Sequence, residues 1–325
     1  MEENNNENRI NLDAPRWDQS SFSGRAKHFF SITNPLNLFA SHDELEKAKE
    51  LVKLYKSRKE PPGVTADQVW KAKWLYDSAF HPDTGEKMFL PGRMSAQVPF
   101  NMAITGFMLT FYKTAPAVIF WQWSNQTFNA VVNYTNSNKS SGENDSEQMK
   151  QLGKSYMIAT GSATVTALAL NQIIHKFPAI LARFVPLVAV AAANCLNIPF
   201  MRSQELVKGI TVFSKDGEKV GESKKAAKSA ISQVVFSRIV MSCPSMILSP
   251  LLMARLEKGN LLKKYPRLSA PIQIIFVGFL LSFATPLCCA IFPQKSSMTV
   301  SKMEGDIKEK AEKMGLTKVY FNKGL

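Results

Sequence analysis

The chain has 325 residues, a formal net charge of +14 and a slightly negative mean hydropathy, an average that is typical of a soluble protein. The charge, however, is unevenly distributed: residues 1–93 carry 14 basic and 14 acidic side chains, so the whole basic excess arises after Arg93. This excess lies in short stretches between apolar segments, and no motif of a nucleic-acid-binding fold is present, so the composition favours a membrane protein over a nucleic-acid-binding protein.

The N-terminal region, residues 1–93, is predicted to be polar and to contain two amphipathic helices. Ser41 and Glu44 have the spacing of a capping box, and Thr65 and Gln68 repeat it; an apolar pattern of helical period follows each pair. The first residues lack both the apolar core of a secretory signal and the Arg-rich character of a mitochondrial presequence. No cleavable presequence is therefore expected.

Five segments after Arg93 are long, apolar and almost free of charge, and each could cross a bilayer as a helix. The predicted spans lie near residues 98–121, 153–174, 181–201, 231–254 and 271–292. The predicted fold class is therefore an all-α membrane protein with about five transmembrane helices in residues 94–293, followed by a polar tail at 294–325. Lys113 and Pro116 interrupt the first span, and its division into two helices would raise the number to six.

Polar side chains recur at helical spacing in spans that contain no Asp or Glu. Arg183, Asn194 and Asn197 share one face of the third span, and Arg238 and Ser242 share one face of the fourth. Polar faces turn away from lipid, so together they would bind a small zwitterion, with one arginine at its carboxylate and amide and hydroxyl oxygens around the rest. Helix packing through small and polar residues is the alternative explanation, and an arginine near a span end can instead reach the headgroups.

The sequence contains no catalytic triad, phosphate loop or dinucleotide fingerprint, so we predict neither an enzyme nor a cofactor. The four cysteines lie in apolar segments without the CxxC spacing of a metal or redox site. His81, Asp83 and Glu86 are close together, but Pro82 and Gly85 predict a tight turn there rather than a metal site.

Long blocks of the sequence resemble the sideroflexin family. They are PRWDQSSFSGRAKHFF at 15–30, YDSAFHPDTGEKMFLPGRMSAQVPFNM at 76–102, TAPAVIFWQWSNQTFNAVVNYTN at 114–136, FVPLVAVAAANCLNIPFMR at 184–202, TPLCCAIFPQKSSM at 285–298 and VYFNKGL at 319–325. The resemblance extends from about Pro15 to the last residue and is closest to the serine-transporting members. It implies a multi-span protein of the mitochondrial inner membrane that carries serine into the matrix to supply one-carbon units.

We therefore predict a carrier of small neutral amino acids, chiefly serine, with alanine, glycine and cysteine as further candidate substrates. Other members of the family are linked to citrate transport, to iron and haem homeostasis or to respiratory-complex assembly, so a tricarboxylate carrier and a non-transporting factor are the alternatives. Few cations lie inside or beside spans, among them Lys113, Arg183 and Arg238. These cations are few for a trianion but sufficient for one carboxylate.

The sequence also predicts an orientation. An odd number of spans places the two termini on opposite sides of the membrane. Segment 202–230 carries seven basic residues and segment 255–270 carries five. The more basic side is expected to face the matrix, which directs the N-terminus to the intermembrane space. Four Asn-X-Ser/Thr sequons, at Asn125, Asn133, Asn138 and Asn144, have no meaning in a mitochondrial protein.

Overall fold

The computed structural model describes residues 9–81, 84–111, 114–136, 145–173 and 184–324. Within these ranges the chain is mostly helical, as predicted. Arg183 and Lys113 lie outside the described residues.

The N-terminal region contains three helices, and the structure confirms both capping boxes. The Ser41 hydroxyl accepts a hydrogen bond from the Glu44 N–H, while the Glu44 carboxylate accepts one from the Ser41 N–H; Thr65 and Gln68 make the same reciprocal pair. These bonds satisfy amide groups that the first helical turn leaves without partners. The helices are α1 (Phe22–Ile32), α2 (His42–Lys56) and α3 (Ala66–Ala79).

Six longer helices follow, and two short ones connect some of them. The longer helices are α4 (Gln97–Phe111), α5 (Ala115–Thr135), α6 (Asp145–Ile173), α7 (Val185–Met201), α9 (Lys224–Lys258) and α11 (Ser269–Cys289). The short helices are α8 (Ser203–Lys208) and α10 (Asn260–Lys264). The first predicted span is thus two helices, and the prediction of five spans is not confirmed. Pro116 explains the division, because it lies in the first turn of α5, where a helix tolerates a residue without an N–H.

Two helices of the described chain are long and apolar enough to cross a membrane, judged by length and composition alone: Lys224–Lys258, and α11 with its preceding turn, Pro266–Cys289. The apolar segment Val185–Phe200 in α7 is shorter.

The six long helices form a closed ring in the order α4, α5, α6, α7, α9, α11, with α11 packing back against α4. Neighbours run antiparallel. In the α4–α11 pair, for example, Val98 clusters with Leu281, and Gly106 lies against Ile274. The chain therefore passes back and forth between two ends of the bundle. We call the end at which α4 begins the terminal end and the other the distal end.

The prediction of an all-α fold misses a small antiparallel sheet at the terminal end. Its strands are β1 (Ile210–Phe213), β2 (Lys219–Ser223), β3 (Lys295–Thr299) and β4 (Lys318–Asn322), in the order β2-β1-β4-β3. The last two come from the segment predicted to be a polar tail, which also contains helix α12 (Gly305–Lys313). Val212, Val319 and Phe321 are buried in one core with Ile307 of α12. Each strand is too short to give a clear alternating pattern, and only the long-range pairing of β1 with β4 joins the two strand pairs into one sheet.

The tail also caps the beginning of α9. The Glu304 carboxylate accepts hydrogen bonds from the Ser223 hydroxyl and the Lys225 N–H, both at 2.7 Å. Burial acts to raise the pKa of Glu304, but these hydrogen bonds outweigh it and hold the pKa below its usual range. A carboxylate at a helix N-terminus also stabilises the helix dipole.

Both terminal regions meet at the end of α11. Arg25 of α1 donates to the Ala290 carbonyl at 2.8 Å, and Lys323 donates to the Phe292 carbonyl at 2.9 Å. Burial lowers the pKa of Lys323, and the nearby charge of Arg25 lowers it further. The N-terminal region and the tail therefore lie at the same end of the bundle, which differs from the arrangement expected from an odd number of spans.

We expect epitope tags at the two termini to become accessible to protease on the same side of the membrane. An even number of crossings requires this, and the contacts of Arg25 and Lys323 with the end of α11 require it too. The measurement is protease protection of both tags in sealed membranes, before and after the membrane is permeabilised. One protected and one cleaved tag in sealed membranes would contradict the bundle described here.

We also expect Gly106→Ala to lower the free energy of unfolding by about 1–3 kcal/mol, the usual range for overpacking. A Cβ at this position would lie 2.7 Å from Ile274 Cγ1 and 2.9 Å from its Cα, so backbone would have to move. The matched control is Gly161→Ala in α6, where nothing lies within 4 Å of the added Cβ. Thermal unfolding of the purified protein in detergent checks this, and equal stabilities of the two variants would contradict close α4–α11 packing.

Candidate substrate site

A partly open cavity of about 50 Å³ lies between the helices of the ring. Five of its six helices line it, through Asn101, Thr105, Asn125, Asn129, Val190, Asn194, Arg238, Met241, Ser242, Ser245, Met246 and Leu281. A cavity of this size holds a few water molecules. Eight of the twelve lining residues are polar, whereas large apolar side chains are exposed on the outer face of the bundle.

Arg238 of α9 is the only charged side chain that lines the cavity among the residues that the structure describes. Its guanidinium is half-buried and makes no hydrogen bond or ion pair within the described chain. A cation in the middle of an apolar helix costs about 2.5–3.5 kcal/mol on insertion scales. Water or a bound anion in the cavity would offset that cost.

Ser242, one helical turn after Arg238, also lines the cavity. Its hydroxyl donates to the Ile239 carbonyl at 2.8 Å, and the Ser245 hydroxyl donates to the Ser242 carbonyl at 3.1 Å. Each hydroxyl oxygen retains lone pairs that can accept a hydrogen bond from a ligand. Pro244 lies between them and has no N–H, so the helix ladder lacks one hydrogen bond beside the cavity.

The two predicted asparagines of α7 have different surroundings. Asn194 lines the cavity beside Arg238. Asn197 does not: it is buried, and its amide donates to Gln126 Oε1 of α5 at 3.1 Å, which leaves its own Oδ1 without a partner. Asn197 therefore packs α7 against α5. The structure brings together Arg238, Asn194 and Ser242, while the predicted site residue Arg183 lies outside the described residues.

Sequence reasoning missed the polar side chains that α4 and α5 contribute. Asn101 and Thr105 are one turn apart on α4, and Asn125 and Asn129 are one turn apart on α5. The signal was present as amide residues at positions 122, 125, 126 and 129, the same helical spacing that identified the other two faces. Asn125 was considered only as a sequon, although its side chain is buried in the bundle.

An apolar layer closes the cavity toward the distal end. Met108 of α4, Val190 of α7 and Met246 of α9 are buried together, with Trp121 and Leu187 packed against them. Along its own helix, each of the three buried residues lies nearer the distal end than the polar residues that line the cavity.

Among the described residues, no group of three or more His, Cys, Asp or Glu side chains could hold a metal ion. The free cysteines Cys195, Cys243, Cys288 and Cys289 all lie in the long helices.

The outer surface of the bundle defines the class of protein. Large apolar side chains are exposed along α6 and α11, among them Met157, Val165, Ile275 and Phe279. Amides, hydroxyls and a guanidinium face the interior instead. This reversal of the usual soluble pattern is expected of an integral membrane protein with a polar internal cavity.

The chain belongs to the sideroflexin family, because the model of that family matches residues 11–325. It is 55% identical over 318 residues to Sideroflexin-1 of Sus scrofa and of Homo sapiens, covering 97% of this chain and 98% of each relative. It is 53% identical to Sideroflexin-3 of Homo sapiens over the same lengths. No solved structure matches this chain.

We expect the two asparagines of α7 to respond differently to replacement by alanine. Asn197→Ala leaves buried Gln126 without its partner and should cost about 1–3 kcal/mol of stability. Asn194→Ala should change thermal stability little and reduce ligand binding instead, because Asn194 faces the cavity. Thermal unfolding of both variants in detergent checks this. Equal losses of stability would show that Asn194 also serves helix packing.

Proposed function

We propose that this protein carries small neutral amino acids, chiefly serine, across the mitochondrial inner membrane into the matrix. The observation that supports this most directly is the composition of the cavity: one cation, no carboxylate among the described lining residues, and several neutral amide and hydroxyl groups. A zwitterion needs this combination, because its single carboxylate requires one cation and its ammonium requires neutral oxygen acceptors.

In this proposal, Arg238 binds the substrate carboxylate. A guanidinium presents a planar fork of donors that matches the two oxygens of a carboxylate. The side-chain oxygens of Asn101, Asn125 and Asn129 accept from the ammonium group. Ser242 and Asn194 contact the serine hydroxyl, which explains a preference for a small polar side chain.

The size of the cavity supports a carrier that opens and closes. A volume of about 50 Å³ suits a few water molecules better than an amino acid. Substrate therefore binds in a wider state of the cavity. In one such state the terminal side opens while the apolar layer of Met108, Val190 and Met246 remains closed. In the other state the apolar layer opens while the terminal side is closed. Alternation between such states around a central site is the usual arrangement in secondary transporters.

The mitochondrial location and the direction of transport rest on resemblance to the family. A tricarboxylate carrier is less well supported, because a trianion requires several converging cations. Reconstitution separates the alternatives: liposomes containing the purified protein should take up labelled serine faster than labelled citrate. Faster citrate uptake would favour a tricarboxylate carrier, and uptake of neither would favour a non-transporting role.

We expect Arg238→Gln to lose most serine uptake and Arg238→Lys to retain part of it. A charge-assisted hydrogen bond contributes about 1.5–3 kcal/mol, which corresponds to roughly a 10–100-fold change in apparent affinity. Lysine keeps the charge but loses the planar fork. The measurement is initial uptake into liposomes against external serine concentration, at matched protein incorporation.

The matched control for this experiment is Arg255→Gln. Arg255 lies in the last turn of the same helix and is exposed at the distal end, away from the cavity. The Arg255→Gln substitution also removes one positive charge from α9, and it should leave the apparent affinity for serine unchanged. If Arg238→Gln transports serine with the affinity of the unmodified protein, the proposed carboxylate site is wrong even though the protein is a carrier.

A further inference from the structure

The N-terminal region carries an exposed apolar surface that the predicted polar character of residues 1–93 does not explain. It lies on α1 and on the 3₁₀ turn that follows, Pro35–Phe39. Phe39 is 85% exposed and Leu36 is 69% exposed, and about half of the Phe22 side chain is also accessible. We call residues 22–39 the interfacial segment.

The inner side of this segment is firmly attached to the bundle. Ala26, Phe29 and Ile32 are buried against Met94 and Ala290, beyond the end of α11. Arg25 is buried as well and donates to carbonyls on both sides of the contact: to Gln19 and Ser20 in its own region and to Ala290 beyond α11. These contacts fix the orientation of α1, so that Phe22 and Phe30 remain on its outer side.

The outer side of the segment continues the lipid-facing surface of α11. The Phe30 ring packs edge-to-face on Phe283 of α11 at 6.2 Å between centroids, and Phe283 packs on Phe279 at 5.3 Å. Phe279 and Phe283 are exposed on a helix whose length and composition suit a membrane span. The three aromatic rings thus form one continuous apolar surface from the span to α1.

The distribution of charge on α1 fits the same interpretation. The exposed residues of α1 are Phe22, Ser23, Lys27 and Phe30, while Arg25 is buried. An exposed helix face that combines large apolar side chains with a lysine is typical of helices that lie in a membrane interface, where the lysine reaches toward the headgroup phosphates. By contrast, α2 exposes mainly Lys and Glu.

We propose that the interfacial segment lies in the membrane at the terminal end of the bundle, with Phe22, Phe30, Leu36 and Phe39 among the acyl chains. Exposed apolar surface of this kind is rare in water and marks a membrane or a protein partner. Continuity with the outer face of α11 favours the membrane, because a protein partner would have to displace lipid from that helix as well. The N-terminal region is then partly embedded in the leaflet.

The test uses the full, unmodified chain in nanodiscs containing a phosphatidylcholine with a diazirine in its acyl chain. After irradiation, mass spectrometry locates the residues that carry lipid adducts. Adducts on residues 22–39 should reach the level found on α11, which is the internal positive control, and should exceed those on exposed residues of α2 at least tenfold. A water-soluble diazirine should give the opposite pattern.

Two outcomes would overturn the proposal. If residues 22–39 label as α2 does, more with the water-soluble reagent than with the lipid, they lie in water. If they label with neither reagent while α11 still labels with the lipid, they are covered by protein, such as a second copy of the chain. Neither outcome bears on the proposed transport of serine, because uptake into liposomes tests that function separately.

Discussion

The architecture depends on how the carbonyl groups beyond the end of α11 are satisfied. A helix leaves its last carbonyls without intrahelical donors, and cations near that end also stabilise the helix dipole. Here the donors come from opposite ends of the chain, Arg25 and Lys323. Arg202, after α7, extends the contact by donating to the Lys323 carbonyl at 2.7 Å. This one cluster brings the N-terminal region, the tail and two helices to the same end, and so requires the chain to cross the bundle an even number of times.

That arrangement explains why the interior of the ring can be polar. Each helix packs against two neighbours in the ring, and α4, α5, α7 and α9 also present polar side chains to the cavity. Small residues allow close approach where packing matters: Gly106 and Gly278 bring α4 and α11 together, and Ala167 and Ala189 do so for α6 and α7. Arg238 and the surrounding amides then occupy a space that packing does not fill, where a cation stays compatible with an apolar helix only through water or a bound anion.

The proposed carrier and the proposed interfacial segment assign different tasks to the two ends. At the distal end, the buried layer of Met108, Val190 and Met246 separates the cavity from the surroundings. At the terminal end, the sheet and the capped start of α9 form a folded cap, and α1 continues the lipid-facing surface. Opening on the terminal side would have to move α9 or α11 relative to a cap that is attached to both.

The sequence by itself determined the features that depend on local composition: the apolar segments, the capping boxes of α2 and α3, and the polar face of Arg238 and Ser242. It also carried the family resemblance. Tertiary structure decided the rest, because those features depend on which segments meet. Asn194 and Asn197 share one helix face, yet one faces the cavity and the other faces Gln126, since the position of α5 separates them. The two strand pairs join into one sheet only where Phe213 of β1 pairs with Tyr320 of β4, more than 100 residues later in the chain. The two sides of α1 acquire different surroundings only because α11 ends beside it.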